Sequence, residues 1–387
     1  MVAELFQTAS TLIPEMRAWL RALHEHPETA HEEKWTSAYI RQALDAMGIP
    51  YRSPLGATGV LARIGDDPNL PTIALRADFD ALPITEESDL SYRSKNPGKG
   101  HLCGHDGHTA MLLGAARVIL AHRPSLRANA LLIFQHAEEV LHGGAGDFIR
   151  AGALEGVSAI YGLHNMPDIP AGDVAVLDGP TMASCIRFDI QLGGRGGHAA
   201  WPHKCDDLVL AASQVVLEAH AAIPRRIPSG TPWVLSFGEI HTGSAFNVLP
   251  SSAKLTGTAR VFSQDLGESL RLWVDEILDS CARRHGITAQ LDWQISTPPL
   301  LNHPACSERI RMAAAKLAQH GMSIAHYDPA MIGEDFAEYL QVVPGCFFFL
   351  GTRDEQQGIT AQLHSPKFKF NEAVLPHGAA LLASSLF

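Results

Sequence analysis

The chain has 387 residues, longer than one hydrophobic core comfortably serves, so two domains are expected. Hydrophobic residues make up 46% and charged residues 18%, with no low-complexity tract, which argues against long disordered stretches. A formal net charge of −11 argues against a nucleic-acid partner or an anionic membrane surface, since both ask for a basic face.

No apolar run reaches membrane-spanning length, and Met1 to Arg21 lacks the charged-then-apolar layout of a signal peptide, so the expected location is the cytoplasm. The six cysteines, Cys103, Cys185, Cys205, Cys281, Cys306 and Cys346, show no close pairing and are expected to be reduced thiols. Five sit among apolar neighbours. Cys103 sits among histidines and an aspartate, and is the one ligand candidate.

From Val2 to about Glu25, apolar residues recur at helical spacing, predicting one amphipathic helix that Pro27 stops. A second helix is predicted near Trp35 to Met47. Two short strands follow, Gly59 to Ile64 and Pro71 to Ala77, split by the turn residues Gly65-Asp66-Asp67-Pro68-Asn69. The second strand runs into Asp78-Phe79-Asp80. Next comes His101-Leu102-Cys103-Gly104-His105-Asp106-Gly107-His108, three imidazoles, a thiol and a carboxylate within eight positions, leading into a helix from Thr109 to Ala121. The apolar strand Ala130 to Phe134 delivers Gln135-His136-Ala137-Glu138-Glu139. After a helix near Gly146 to Ala151, the apolar run Val157 to Leu163 ends on His164. Strands that end in Asp78/Asp80, Glu138/Glu139 and His164, with helices between them, predict an α/β fold with a mainly parallel sheet. Ligands of such sheets gather outside the carboxyl ends of the strands.

Past Thr181 the rhythm changes. Ser184 to Leu192, Trp233 to Ile240, Ala253 to Phe262 and Ile287 to Ile295 read as strands, with helices over Asp206 to Ala222 and Leu266 to His285. Strand-helix-strand-strand-helix-strand is the ferredoxin-like α+β order, so residues 182–296 are expected to be an inserted domain within a catalytic domain of residues 1–181 and 297–387. In the last segment a helix is expected from Cys306 to His320, then Gly333-Glu334-Asp335-Phe336, a strand from Cys346 to Leu350, Leu363-His364 and a closing helix.

Thiolate, imidazole and carboxylate are the ligand types that metals such as Zn²⁺ take, and a buried cluster of them without a metal would leave costly unpaired groups. Glu138 and Glu139, side by side at the end of a buried strand, repel each other unless a cation compensates one of them. Glu139 is therefore expected to bind an ion, and Glu138 to take a proton from an activated water, which is hydrolysis. Cys103, His105, Glu139, His164 and His364 are more ligands than one four-coordinate zinc with an open position uses, so two metals are expected, bridged by Cys103 or a carboxylate. His136-Ala137-Glu138 lacks the following Pro-Cys-x-x-Cys of a base deaminase, and there is no Gly-x-Ser-x-Gly, P-loop or dinucleotide fingerprint.

Several further segments carry a resemblance: Leu23-His24 with Pro27-Glu28, Arg76-Ala77-Asp78-Phe79-Asp80, Gly194-Arg195-Gly196-Gly197-His198, Phe246-Asn247-Val248-Leu249-Pro250 and Gly257-Thr258-Ala259-Arg260. With the histidine-rich octet, Ala137-Glu138-Glu139, Gly333-Glu334-Asp335-Phe336 and Leu363-His364, the chain resembles the di-metal amidohydrolases and peptidases of the aminoacylase, hippurate hydrolase and auxin-conjugate (indole-acetyl-amino-acid) hydrolase group, metallopeptidase family twenty, subfamily D, nearly end to end.

The resemblance implies a metal-dependent amidohydrolase acting on N-acyl amino acids, with two divalent ions per subunit, Zn²⁺ or Mn²⁺ with Co²⁺ and Ni²⁺ as further options. Cys103, His105, Glu139, His164 and His364 would be the ligands, Cys103 bridging, and Glu138 the general base. Asp80 would orient a metal-binding histidine, its other reading being a strand-end turn residue. It further implies that the inserted domain forms a lid and pairs two subunits into a homodimer, that His198 polarises the scissile carbonyl from its own or the neighbouring chain, and that Asn247 and Arg260 hold the substrate, Arg260 by its bidentate fork. A dipeptidase or carboxypeptidase on the same site, and a non-catalytic N-acyl amino acid binder, are the competing expectations. One departure stands out: His136 occupies a position where these enzymes usually carry proline. His101 and His108 are read as supporting residues rather than ligands.

Overall fold

The amino-terminal periodicity resolves into two helices, Val2–Thr11 and Ile13–Glu25, rather than one. Pro14 has no N–H for the preceding turn and fits only a helix's first positions, so the backbone breaks at Leu12 and restarts. The computed structural model describes residues 1–141 and 143–387. They fall into two compact units, one of Met1–Thr181, Leu301–Asp328 and Asp335–Phe387, the other of Met182–Leu300 and Pro329–Glu334.

The larger unit is built on a seven-stranded sheet in the order Tyr51–Leu55, Gly59–Ile64, Asn129–Gln135, Thr72–Asp78, Val157–Pro170, Gly345–Arg353, Val174–Ala175. The four central strands run parallel, and the strands outside them pair antiparallel. Asn129–Gln135 is buried at every position, as expected of a parallel strand covered on both faces, and each of its large apolar side chains contributes about 1.5–3 kcal/mol by leaving water. Tyr51–Leu55 has no counterpart among the strands expected from the sequence. It is an edge strand carrying Pro54, and only an edge tolerates the missing donor. Helix His105–Ala121 is buried over most of its length and packs with Leu375–Ser384 in the main core.

His164 does not end its strand. Pairing with Thr72–Asp78 stops at Gly162, but the strand continues to Pro170 beside Gly345–Arg353, with Phe349 opposite His164. His164 thus stands just past the last rung shared with its other neighbour.

The second unit has a four-stranded antiparallel sheet in the order Trp233–Thr242, Ser252–Val261, Ser184–Gly193, Thr288–Thr297. Helices Leu208–Ala222 and Gln264–His285 contribute to one core with it, giving the split βαβ order. Among the described residues no helix is long and apolar enough to cross a membrane, and all six cysteines are free.

Candidate metal centre

In the larger unit, left-handed backbone positions at Gly104, Ala137 and His364 set the turns that present polar side chains to one another. Gly104, at φ 97°, opens helix His105–Ala121. A Cβ there would lie 2.1 Å from Asn165 Oδ1, so glycine is required both by backbone and by space. This places Cys103 and His105 on either side of a tight bend. Ala137, fully buried, takes the left-handed conformation at φ 53°, turning the chain between strand Asn129–Gln135 and Glu138-Glu139. His364, at φ 64°, donates its backbone N–H to the carbonyl of Leu102. The last turn is thereby tied to the first.

The sequence candidates of this unit come together. Ligand atoms of Cys103, His105 and His164 lie within 4.8 Å of one another, as do those of Cys103, Glu139 and His364, and those of His105, Glu138 and Glu139. Cys103 is common to the first two groups. Its Sγ is 3.4 Å from His164 Nε2, and Glu139 Oε1 is 3.3 Å from His364 Nε2 and 3.8 Å from His105 Nε2. His105 Nε2 and Glu139 Oε1 are buried and make no hydrogen bond among the described residues. Buried polar atoms are almost always partnered, so two orphans facing each other in a set of thiol, imidazole and carboxylate donors fit a divalent cation.

The electrostatics agree. Burial alone would lower the His105 imidazole, but Asp78, Asp80 and Glu139 outweigh it and raise its pKa to about 10, so the site is built to hold positive charge. Burial, with the Glu139 and Glu138 carboxylates nearby, pushes the Cys103 thiol well above its ordinary value. His164 is driven well below the usual imidazole range by burial and by neighbouring His108, and neutral imidazole is the form that ligates.

Asp80 braces both halves. Its Oδ1 is 3.2 Å from His105 Nδ1, and its Oδ2 accepts the backbone N–H of Glu139 at 3.0 Å. Behind His105, Asp78 accepts from His108 Nδ1 at 2.6 Å and from Arg76 at 2.6 Å. Burial would raise the Asp78 carboxyl, but His105, Arg76 and His108 hold it well below the usual range. Arg76, 1% exposed, also donates to Asp335 and to Gln135.

His24 donates from Nδ1 to Asp106 at 2.7 Å and lies 3.2 Å from Glu86. Burial works against its charge, but the two carboxylates raise its pKa to about 9. His136 points to Asp147, 3.0 Å from its Oδ2, and belongs to none of the potential metal clusters found among the described residues.

Glu33, Asn165 and Asp335 were not singled out from sequence as site residues. Glu33 is buried and accepts from Ala137 N, Asn165 bonds His108, and Asp335 closes on Arg76 from 259 positions away. Glu33 lies in the acidic pair Glu32-Glu33 just ahead of a helix, and nothing in that local pattern sets it apart.

The second unit carries the three remaining candidates. His198 lies in a two-residue strand opposite Val248, and Asn247 accepts the N–H of Ala199, so the two positions are neighbours. Both are exposed. Arg260, on strand Ser252–Val261, is half-buried against Cys185 and has no carboxylate partner among the described residues. Burial lowers its pKa, leaving a guanidinium fork without an internal anion.

The family described as Peptidase family M20/M25/M40 matches residues 74–387. N-acetyl-L-cysteine deacetylase of Bacillus subtilis (strain 168) is 37% identical over 376 residues, covering 97% of this chain and 88% of that protein. IAA-amino acid hydrolase ILR1-like 5 of Arabidopsis thaliana is 38% identical over 369 residues, 94% of this chain and 84% of that one. Among solved structures, the YXEP protein of Bacillus subtilis, described as a dinuclear metal binding peptidase from the M20 family, has a TM-score of 0.84 at 33% identity. The match covers 97% of this chain and 99% of that one.

Proposed function

The chain belongs to peptidase family M20/M25/M40, and on that premise we propose that it hydrolyses the amide bond of N-acyl amino acids, releasing a carboxylic acid and a free amino acid. The observation that carries this reading is the pair of three-residue ligand groups sharing Cys103, beside the adjacent carboxylates Glu138 and Glu139. Cys103, His105, Glu139, His164 and His364 would hold two divalent ions, Zn²⁺ or Mn²⁺ before Co²⁺ or Ni²⁺. When bound, such ions supply an acidified water and a polarised carbonyl.

The chain's own groups do the rest. Glu138 takes a proton from the attacking water as the new C–O bond forms and the carbonyl oxygen gains charge, then passes that proton to the leaving nitrogen as the C–N bond breaks. Asp80 holds the His105 ring and the Glu139 backbone in place. Arg260 binds the α-carboxylate through its guanidinium fork, Asn247 assists it, and His198 donates to the carbonyl oxygen as charge builds there.

We further infer a homodimer assembled through the second unit, in the cytoplasm. Strand Trp233–Thr242 is a sheet edge, and Leu210 and Leu217 are exposed apolar side chains on helix Leu208–Ala222, features an isologous pairing would cover. The test of function is turnover of hippurate and N-acetyl amino acids against glycyl-dipeptides, with each of the four metals added. Cleavage of the acyl amino acids that Glu138→Gln abolishes is expected. Turnover of the dipeptides alone, or a fully active Glu138→Gln enzyme, would overturn it. Light scattering at micromolar concentration checks the dimer.

A further inference from the structure

We propose that Glu33 is a positioning residue for hydrolysis: its carboxylate fixes the left-handed turn at Ala137 that aims Glu138, an inference that rests on Glu138 being the base. Glu33 sits immediately before helix Lys34–Met47, at the position from which short polar side chains cap a helix's free N–H groups, and it makes no such bond. Glu28 does that work instead. Its carboxylate accepts from Trp35 N at 3.1 Å and from Thr36 N at 2.9 Å, and the Thr36 hydroxyl donates to it at 3.0 Å.

Glu33 is thus released from its helix, fully buried, and turned toward the strand ends. Oε1 accepts the N–H of Ala137 at 2.9 Å and Oε2 accepts the Thr58 hydroxyl at 2.8 Å. The conformation it holds needs holding, because a left-handed φ of 53° on a residue with a Cβ is unfavourable unless its surroundings impose it.

Two other bonds fix the neighbouring backbone: Gly144 N–H to the Ala137 carbonyl at 3.1 Å, and Glu139 N–H to Asp80. Glu139 therefore keeps an anchor of its own. Loss of the Glu33 bond frees Ala137 to relax toward ordinary φ and swings Glu138 away from the attacking water. Burial pushes the Glu33 carboxyl up to about 7, so a neutral acceptor of the same length suits the position.

Reach and charge can be separated by two conservative variants. Glu33→Asp keeps the carboxylate but falls one methylene short of Ala137 N, whereas Glu33→Gln keeps the reach and loses the charge. With fold checked by circular dichroism and thermal melting, Glu33→Asp is expected to lose on the order of 100-fold in kcat, the scale of a misplaced reacting group. Its KM should stay within about threefold and its metal stoichiometry should match wild type, while Glu33→Gln loses less than about fivefold in kcat. A Glu33→Asp enzyme with wild-type kcat, or a Glu33→Gln enzyme as impaired as Glu33→Asp, overturns the proposal. Glu138→Gln is assayed alongside: if it is inactive the Glu33 result stands by itself, and if it turns over normally the base assignment and this proposal fall together.

Discussion

Asp80 offers the sharpest test of how the site is braced, because one carboxylate serves residues in two ligand groups. In Asp80→Ala, His105 Nδ1 loses the oxygen at 3.2 Å but keeps the Asp80 backbone carbonyl at 3.0 Å, so its ring remains partly oriented. The Glu139 N–H has no such reserve among the described residues, and loses its acceptor at 3.0 Å. Residues that orient metal ligands typically account for 10–100-fold in metal affinity, about 1.4–2.7 kcal/mol. With the imidazole still held on one side, the lower half of that range is expected for the metal bound by His105. The stranded backbone donor adds a stability cost of about 1–3 kcal/mol. Chelator-competition titration reads the affinity and thermal unfolding of the metal-free protein reads the stability. An Asp80→Ala protein with metal affinity within twofold of wild type and an unchanged midpoint would refute the bracing role.

Three further outcomes follow from the buried charges and the tight bend. Arg76→Met strips Asp78 and Asp335 of a buried cationic partner, and breaking such a pair costs about 3–5 kcal/mol, read as a lower denaturation midpoint. His24 has a folded pKa raised to about 9 against an unfolded value near 6.5, so its contribution is complete below about pH 6.5 and is lost as pH climbs through 9. Thermal melts of His24→Gln should therefore differ most from wild type at pH 6 and converge toward pH 9.5; a gap that widens with pH would show that the charge is not held. Gly104→Ala combines a strained left-handed backbone with a Cβ 2.1 Å from Asn165 Oδ1, which His108 holds, for a loss of about 2–5 kcal/mol. A midpoint within a degree of wild type would show the bend to be adaptable.

What could be read from the sequence follows the range of each interaction. Strand-end polarity brought out Asp80, Glu138, Glu139 and His164, and local crowding brought out Cys103 and His105, because each signal lies within one short segment. The ferredoxin-like order was legible for the same reason: six elements in sequence define it, and their periodicities switch cleanly from two to 3.6. The break at Leu12 was not, since the apolar spacing runs through Pro14 without interruption. Nor was the Arg76 network, whose partner Asp335 is far away along the chain, or the exchange of roles between Glu28 and Glu33, two acidic residues that look alike until their partners are seen. Resemblance to a known family reached His198, Asn247 and Arg260, for which neither periodicity nor spacing carried a signal.

The charge balance around His105 also fixes how folding should depend on metal. Asp78, Asp80 and Glu139 all raise its pKa, and Arg76 donates directly to Asp78. Without an ion, His105 Nε2 and Glu139 Oε1 remain buried without hydrogen-bond partners among the described residues, at about 1–3 kcal/mol each. An ion that binds only the folded chain stabilises it by about 2.7 kcal/mol at a hundred times its dissociation constant. Chelation is therefore expected to lower the unfolding midpoint of the larger unit and re-addition of Zn²⁺ or Mn²⁺ to restore it. The unit of Met182–Leu300 with Pro329–Glu334 has its own core, and should unfold at a metal-independent temperature wherever its transition is resolved. If elemental analysis shows the metal gone while calorimetry shows the larger transition unmoved, the orphaned atoms are not ligands on which the fold depends, and the reading of the five gathered side chains as a cation site loses its physical basis.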